Sequence, residues 1–407
     1  MVKADLIIKN ISELLTLDET INADPDLGII YDGAIASYRG TIVFIGDVKE
    51  LAGSVDKDEE CMVVDANGSV VMPGFVDAHT HLIFDGDRSD ELPMKLKGMS
   101  YKSIADSGGG IRKTVIHTRK APLNKLINIG KERLDAMEMA GVTSTEIKTG
   151  YGLTTKSELK LIDAADTVRK NFLKNIEITF LGAHAVPSDI RKEDYIDVMK
   201  KEMIPEISKK KNVKFIDVFC EEGFFNYDES KEILEYGKKY NMIPKIHADE
   251  FSDGNGALLA AQVKAVSADH LLKSSGHGLE EMKKAGVIPV LLPGTILTTF
   301  IEVKPNIDLM RTLKMDIAIS SDYNPNCTII NPWLLMWLSV YRLKLTLEEA
   351  IKGMTINSAK AIAMDKKVGS LKVGKKANLI ITDVNSHIHL FSDITATHTK
   401  NVIISRI

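Results

Sequence analysis

The chain has 407 residues, 44% of them apolar and 27% charged, which is the balance of an ordinary globular protein with ample material for a large core. The formal net charge of −4, with acids and bases interspersed, gives no basic stripe for nucleic acid or an anionic membrane, and three scattered cysteines (Cys61, Cys220, Cys327) make neither a disulfide framework nor a CxxC metal site. These features point to a small-molecule partner and a reducing, cytoplasmic setting, and residues 1–10 lack the basic start and long apolar run of a secretory leader.

The first seventy residues carry short alternating runs at 4–9, 34–37 and 42–45, broken by Gly and Asp, which predict antiparallel strands. From residue 71 the pattern changes to β-branched apolar runs alternating with longer amphipathic stretches, the sign of repeated βα units and a parallel sheet. Eight such runs occur, at 71–82, 142–150, 176–186, 214–223, 243–250, 265–272, 287–295 and 316–325. Eight strands predict a closed barrel, a fold that commonly exceeds 250 residues as one unit. Apolar spacing of three to four predicts helices over 156–171, 228–240 and 332–343, with Trp333, Met336, Trp337 and Tyr341 as a core stripe. The longest connection, 83–141, contains Arg88 and the triplet Gly108-Gly-Gly110. Without the spacing of a dinucleotide loop, the triplet reads as a flexible turn in a segment able to cover a substrate. At the far end, 369–383 reads as a turn leading into a strand. Residues 1–72 and 355–407 are therefore expected to form one small β domain beside a barrel of 73–354.

Barrel enzymes place chemistry at the C-terminal ends of their strands. Those ends here read Asp77-Ala-His79-Thr-His81, Glu146-Ile-Lys148-Thr-Gly-Tyr151, Gly182-Ala-His184, Cys220-Glu-Glu222, His247-Ala-Asp-Glu250, Asp269-His270, Pro293-Gly-Thr295 and Ser321-Asp322-Tyr-Asn324. His79 and His81, two apart on a strand, face the same side. His387 and His389 have the same spacing but no comparable partners, and read as structural. With His247 and Asp322 at other strand ends, the first pair makes three imidazoles and a carboxylate, suited to zinc or a similar divalent ion. Such an ion lowers the pKa of its water and polarises a carbonyl, which is the chemistry of hydrolysis. Asp322 would be ligand and proton acceptor. Glu250 either shuttles a proton or supports a ligand histidine. His184 and His270 either orient water and polarise a carbonyl or are buried, hydrogen-bonded core residues. Lys148 reads as a hydrogen-bonding lysine rather than a carboxylated metal bridge.

The run Pro73-Gly-Phe-Val-Asp-Ala-His-Thr-His81 is similar to the signature of the amidohydrolase superfamily, which implies a distorted (β/α)₈ barrel with a flanking β-sandwich. Further motifs at 96–101, 108–111, 146–153, 179–187, 247–251 and 321–325 resemble the imidazolonepropionase family of histidine degradation, over nearly the whole length. The resemblance implies His79, His81, His247 and Asp322 as ligands of one divalent or trivalent transition metal ion, zinc or iron. It implies Arg88, Tyr151, His184 and Asn324 as substrate contacts, and Glu250 and His270 as catalytic groups with Asp322. It also implies a homodimer that hydrolyses 4-imidazolone-5-propanoate to N-formimidoyl-L-glutamate, with Arg88 clamping the propionate. Where the family often has Gly followed by Ser or Thr, this chain has Asn326-Cys327. Both are carried as substrate-binding candidates, Cys327 either offering a weak hydrogen bond or simply packing. Deaminases and dihydropyrimidinase-type hydrolases share the HxH pair but not these neighbourhoods, and a non-catalytic scaffold that has lost its metal is disfavoured because all four ligands are present.

Overall fold

The structure is a computed structural model that describes residues 1–21, 26–100, 103–104, 107–171 and 175–405. Tyr101, which ends one of the matched motifs, lies outside the described residues. Four strands come first: β1 (Val2–Leu15), β2 (Ile29–Tyr38), β3 (Thr41–Asp47) and β4 (Val55–Pro73). The barrel follows as β5 (Phe75–Asp77), β6 (Val142–Lys148), β7 (Ile176–Ala183), β8 (Val213–Cys220), β9 (Ile243–Ala248), β10 (Ser267–His270), β11 (Ile288–Leu291) and β12 (Ala318–Ile319). Two more strands, β13 (Leu379–Thr382) and β14 (Thr399–Ile403), end the chain.

The eight barrel strands neighbour one another in chain order, with β5 and β12 at the two edges. Just past their ends the ring is drawn together. His81 N donates to Tyr323 O at 2.9 Å and Asp322 N to His79 O at 3.0 Å, so the segments carrying two candidate ligands also seal the barrel. The expected helices occur at Thr155–Asn171, Tyr227–Lys238 and Pro332–Tyr341. The second shows why: Asn226 and Glu229 form a capping box, and Ser230, Ile233, Leu234 and Gly237 form one buried stripe. At Gly237 a Cβ would lie 2.6 Å from Ile216 Cδ1, so the missing side chain lets the helix settle onto β8. In the third helix the buried stripe is Trp333, Leu335, Met336 and Leu338, whereas Tyr341 is exposed and stacks on Trp337 with centroids 4.3 Å apart. Among the described residues no helix is long and apolar enough to cross a membrane.

The run 71–82 proves to be two strands. Residues 71–73 finish β4, and the barrel strand begins at Phe75. Gly74 makes the switch, since a Cβ there would lie 2.2 Å from Thr143 Cγ2. Both chain ends join one six-stranded sheet in the order β14-β13-β4-β1-β2-β3. Antiparallel pairing holds for β1 with β2 and β2 with β3, but β1 and β4 run parallel because the chain returns through β2, β3 and the helix Val48–Ser54. Ile8, Ile35, Ile42, Val71 and Leu379, drawn from five strands or their edges, share one apolar core. Where two packed layers were expected, the strands of both chain ends hydrogen-bond into this one sheet. By packing, the chain forms two compact units: Met1–Asp77 with Asp135–Ser144 and Asn331–Ile407, and Ala78–Leu134 with Thr145–Ile330. Every candidate site residue lies in the second.

Candidate active site

His79 and His81 follow β5, and both are buried. The Nδ1–H of His79 donates to Asp269 Oδ2 on β10 at 2.6 Å, and Asp269 Oδ1 accepts from Ser267 Oγ at 2.8 Å. On β9, His247 Nδ1 lies 3.1 Å from Asp217 Oδ2 of β8. A carboxylate at Nδ1 fixes the tautomer that leaves the Nε2 lone pair available. The Nε2 atoms of these two rings converge on that of His81, which lies 3.4 Å from His79 Nε2 and 3.3 Å from His247 Nε2. Asp322 Oδ1 sits 3.4 Å from His79 Nε2 and 3.6 Å from His81 Nε2, while its Oδ2 accepts from Thr295 Oγ1 at 2.6 Å. Three imidazole nitrogens and a carboxylate oxygen converging this closely make a compact donor set. His79, His81 and His247 offer donor atoms within 4.8 Å of one another, as do His79, His270 and Asp322. This donor set fits one transition-metal ion.

Glu250 is turned back toward this cluster by the residue before it. Asp249 has φ +54° and accepts from Gly256 N at 2.7 Å, Ala257 N at 3.0 Å and Ser274 Oγ at 2.6 Å. Glu221 accepts Phe251 N at 2.9 Å and pins the other side of the turn. Glu250 Oε2 then lies 3.7 Å from His270 Nε2. Burial, helped by the Asp322 carboxylate, pushes the Glu250 carboxyl well above its ordinary value. Burial also pushes Asp322 up to about 7 and both His184 and His270 down to about 4, so both imidazoles are neutral.

His184 stacks on His81 with centroids 4.8 Å apart and planes 12° apart, and its Nδ1 donates to Gly150 O at 3.1 Å. Tyr151 leans against both rings. The loop presenting it is held from beneath by Glu158, which accepts Gly150 N at 3.1 Å and Gly152 N and Leu153 N at 2.7 Å each. Arg119 binds the same loop through Gly152 O and Leu153 O.

Arg88 is buried and donates through Nε and Nη2 to Glu91 at 2.9 and 2.8 Å. Glu91 Oε1 also accepts Gly110 N at 2.7 Å, and Gly110 has φ +68°. The triplet thus opens as an exposed turn at Gly108 and ends at Gly110 as the seat of Glu91, at the start of helix Gly110–Lys120. Asn324 spends its side chain on its own loop, with Nδ2 donating to Asp322 O at 2.7 Å and Oδ1 accepting Asn326 N at 2.7 Å and Cys327 N at 3.2 Å. Asn326 accepts from Lys95 Nζ. Cys327 is fully buried, its Sγ lies 3.7 Å from Ser321 O and burial pushes its thiol up to about 11; it packs behind the loop and does not line the cavity.

The cavity encloses about 420 Å³ of empty space, its open mouth included. It brings together His81, Arg88, Tyr151, His184, His247, Glu250, His270, Asp322, Asn324 and Asn326, along with Ile111, Phe219, Phe251 and Thr295. His79 lies beneath the lining. Sequence reasoning missed the charged layer under the cluster. There Lys148 Nζ lies 2.6 Å from Asp217 Oδ2, 3.1 Å from Glu146 Oε2 and 3.3 Å from Asp269 Oδ2, all fully buried. Lys245 Nζ joins Glu146 Oε2 at 2.9 Å and Ala78 O at 3.1 Å. Burial alone would push Lys148 down, but Asp217, Glu146 and Asp269 outweigh it and hold the ammonium above its ordinary range. The available signal was an ionisable residue inside an apolar strand run, Asp217 between Ile216 and Val218, which in a helix-covered barrel has only the interior to face.

Residues 70–405 match the model of the amidohydrolase family. The chain is 42% identical to an imidazolonepropionase of Brevibacillus brevis over 383 residues, 93% of this chain and 90% of that one. Among solved structures it is similar to a triazine hydrolase variant, with a TM-score of 0.76 and 14% identity over 98% of this chain and 93% of that one. It is also similar to an adenosine deaminase from Xanthomonas campestris with bound zinc, with a TM-score of 0.73 and 16% identity over 99% and 92%. At such identities these two structures speak for the barrel-and-sheet fold alone. The family match and the near full-length identity to the curated relative together establish that the chain belongs to the amidohydrolase family and, within it, to the imidazolonepropionases.

Proposed function

We propose that the protein hydrolyses 4-imidazolone-5-propanoate to N-formimidoyl-L-glutamate, a step of histidine degradation. The observation that carries this reading is the convergence of three imidazole Nε2 atoms and the Asp322 carboxylate at the floor of a cavity that also presents Arg88. His79, His81, His247 and Asp322 would hold one zinc or iron ion, which when bound supplies Lewis-acid activation of water and of the ring carbonyl.

The chain's own residues do the rest. Arg88, set by Glu91, takes the propionate carboxylate, and Tyr151, His184, Asn324 and Asn326 contact the carboxylate or ring. Asp322 accepts the proton of the attacking water. As the oxygen bonds to the ring carbonyl carbon, His270 hydrogen-bonds the oxygen that gains charge. The bond from that carbon to the adjacent ring nitrogen then breaks. Glu250, whose buried carboxyl readily holds a proton, delivers one to the leaving nitrogen.

We also read residues 73–354 as the catalytic barrel, 1–72 with 355–407 as its accessory β domain, and the protein as a cytoplasmic homodimer. Three free cysteines support a reducing compartment, and a monomer mass in light scattering would reject the dimer. The decisive experiment follows the ultraviolet absorbance of fresh 4-imidazolone-5-propanoate with purified protein, before and after metal removal. Chelator-sensitive loss that yields N-formimidoyl-L-glutamate is expected. No acceleration over spontaneous decay by metal-loaded protein would reject the substrate.

A further inference from the structure

Three carboxylates and two lysines lie fully buried within the barrel, on the far side of the histidines from the cavity mouth. Burying charge is costly unless every member is paired, so a cluster of this size needs a reason. Its connectivity supplies one. Asp269 Oδ2 is shared between His79 Nδ1, at 2.6 Å, and Lys148 Nζ, at 3.3 Å. Asp217 is likewise shared between His247 Nδ1, at 3.1 Å from Oδ2, and Lys148 Nζ, at 2.6 Å from the same oxygen. One ammonium therefore touches the two carboxylates that orient two of the three clustered imidazoles. Its third contact, Glu146 at 3.1 Å, is tethered by Lys245 at 2.9 Å and by Thr179 Oγ1, which fixes where the ammonium can sit.

We propose that Lys148 is a positioning residue of the metal centre, locking Asp217 and Asp269 so that His247 and His79 present their Nε2 atoms in the geometry one ion requires. The inference rests on the metal-centre reading given above. Two lysines against three carboxylates also leave this layer one negative charge in excess, which favours a cation among the imidazoles. A lysine whose three N–H directions are taken by three carboxylates has no unprotonated amine to react with carbon dioxide, so the same contacts exclude a carboxylated-lysine bridge to a second ion. His81 is the ligand outside this lock: its Nδ1 is buried with no hydrogen-bond partner among the described residues.

The test measures binding of cobalt(II) to the full-length protein by competition with a chromophoric chelator, together with the visible d–d spectrum of the loaded protein. Lys148→Met keeps the side-chain volume and removes the ammonium. The expected result is affinity weakened about 10- to 100-fold, the usual effect of losing a group that orients a ligand histidine, with an altered d–d spectrum. A folded Lys148→Met protein with wild-type affinity and spectrum would overturn the proposal while leaving the metal centre standing. If wild-type protein binds no cobalt, the metal-centre reading falls and the proposal with it. If the methionine variant does not fold, Asp217→Asn carries the test, because it keeps Lys148 paired with Glu146 and Asp269. An equal loss of affinity with a shifted spectrum supports the relay, and unchanged binding overturns it.

Discussion

Glu91 never reaches the cavity lining, yet it sets the group expected to seize the substrate carboxylate. Its carboxylate takes Arg88 Nε at 2.9 Å and Nη2 at 2.8 Å, and shares Oε1 with Gly110 N at 2.7 Å. Glu91→Gln preserves volume and one acceptor oxygen but places an NH₂ donor against one N–H of Arg88. One charge-assisted hydrogen bond is lost and two donors face each other, worth about 2 kcal/mol, or roughly 30-fold in kcat/KM. In the proposed reaction Arg88 would hold a part of the substrate that does not react, so the loss is predicted to fall on KM with kcat nearly unchanged. Initial rates of substrate absorbance loss, corrected for spontaneous decay and at matched metal content, measure this split. Glu91→Ala goes further: it removes the carboxylate from a buried ion pair, and a pair broken in this way costs about 3–5 kcal/mol of stability. Wild-type KM in Glu91→Gln, or an effect confined to kcat, would refute the clamp and its preorganisation by Glu91.

Glu250→Gln should lower kcat by about 10²- to 10⁴-fold while metal content is retained, and a near-normal kcat removes Glu250 from proton transfer. Glu158→Ala strips three buried amides of the Tyr151 loop of their acceptor, at about 1–3 kcal/mol each, so the denaturant midpoint should fall and KM rise; an unchanged midpoint would show that the loop is held by other contacts. His387→Ala, which removes a ring bonded to Glu13 at 2.8 Å in the chain-end unit, should leave bound metal per chain unaltered by elemental analysis. A proportionate drop in metal would mean that the second His-x-His pair is not structural.

The barrel and its polar strand ends were legible because His79, His81, His184, His247, His270 and Asp322 interrupt β-branched runs where such runs stop, a pattern set by period-two geometry and the inward face. What escaped depends on pairing across distance. Gly74 looks like any glycine in an apolar run until Thr143 is seen filling the space its side chain would need. The parallel match of β1 with β4 is decided by the crossover between them, which local alternation does not encode. Glu91 sits in an ordinary charged stretch, and only the fold reveals that its partners are Arg88 and Gly110. Cys327 was drawn toward the substrate by motif position, whereas packing hides it behind the loop; Asn324 lines the cavity while it also braces its own loop, a double duty only the fold reveals.

The closure of the barrel also fixes an order of events during synthesis. Ala78 N donates to Ser320 Oγ at 2.9 Å across a separation of 242 residues, and Asp322 N reaches His79 O just beyond. The chain-end sheet is similarly deferred, since β4 waits for β13 before its second edge is covered. A growing chain on the ribosome thus carries two open sheet edges until nearly all of it has emerged, the long-range pairing that slows folding and invites chaperone contact. Asp322, the fourth proposed donor, arrives with the same segment that seals the ring.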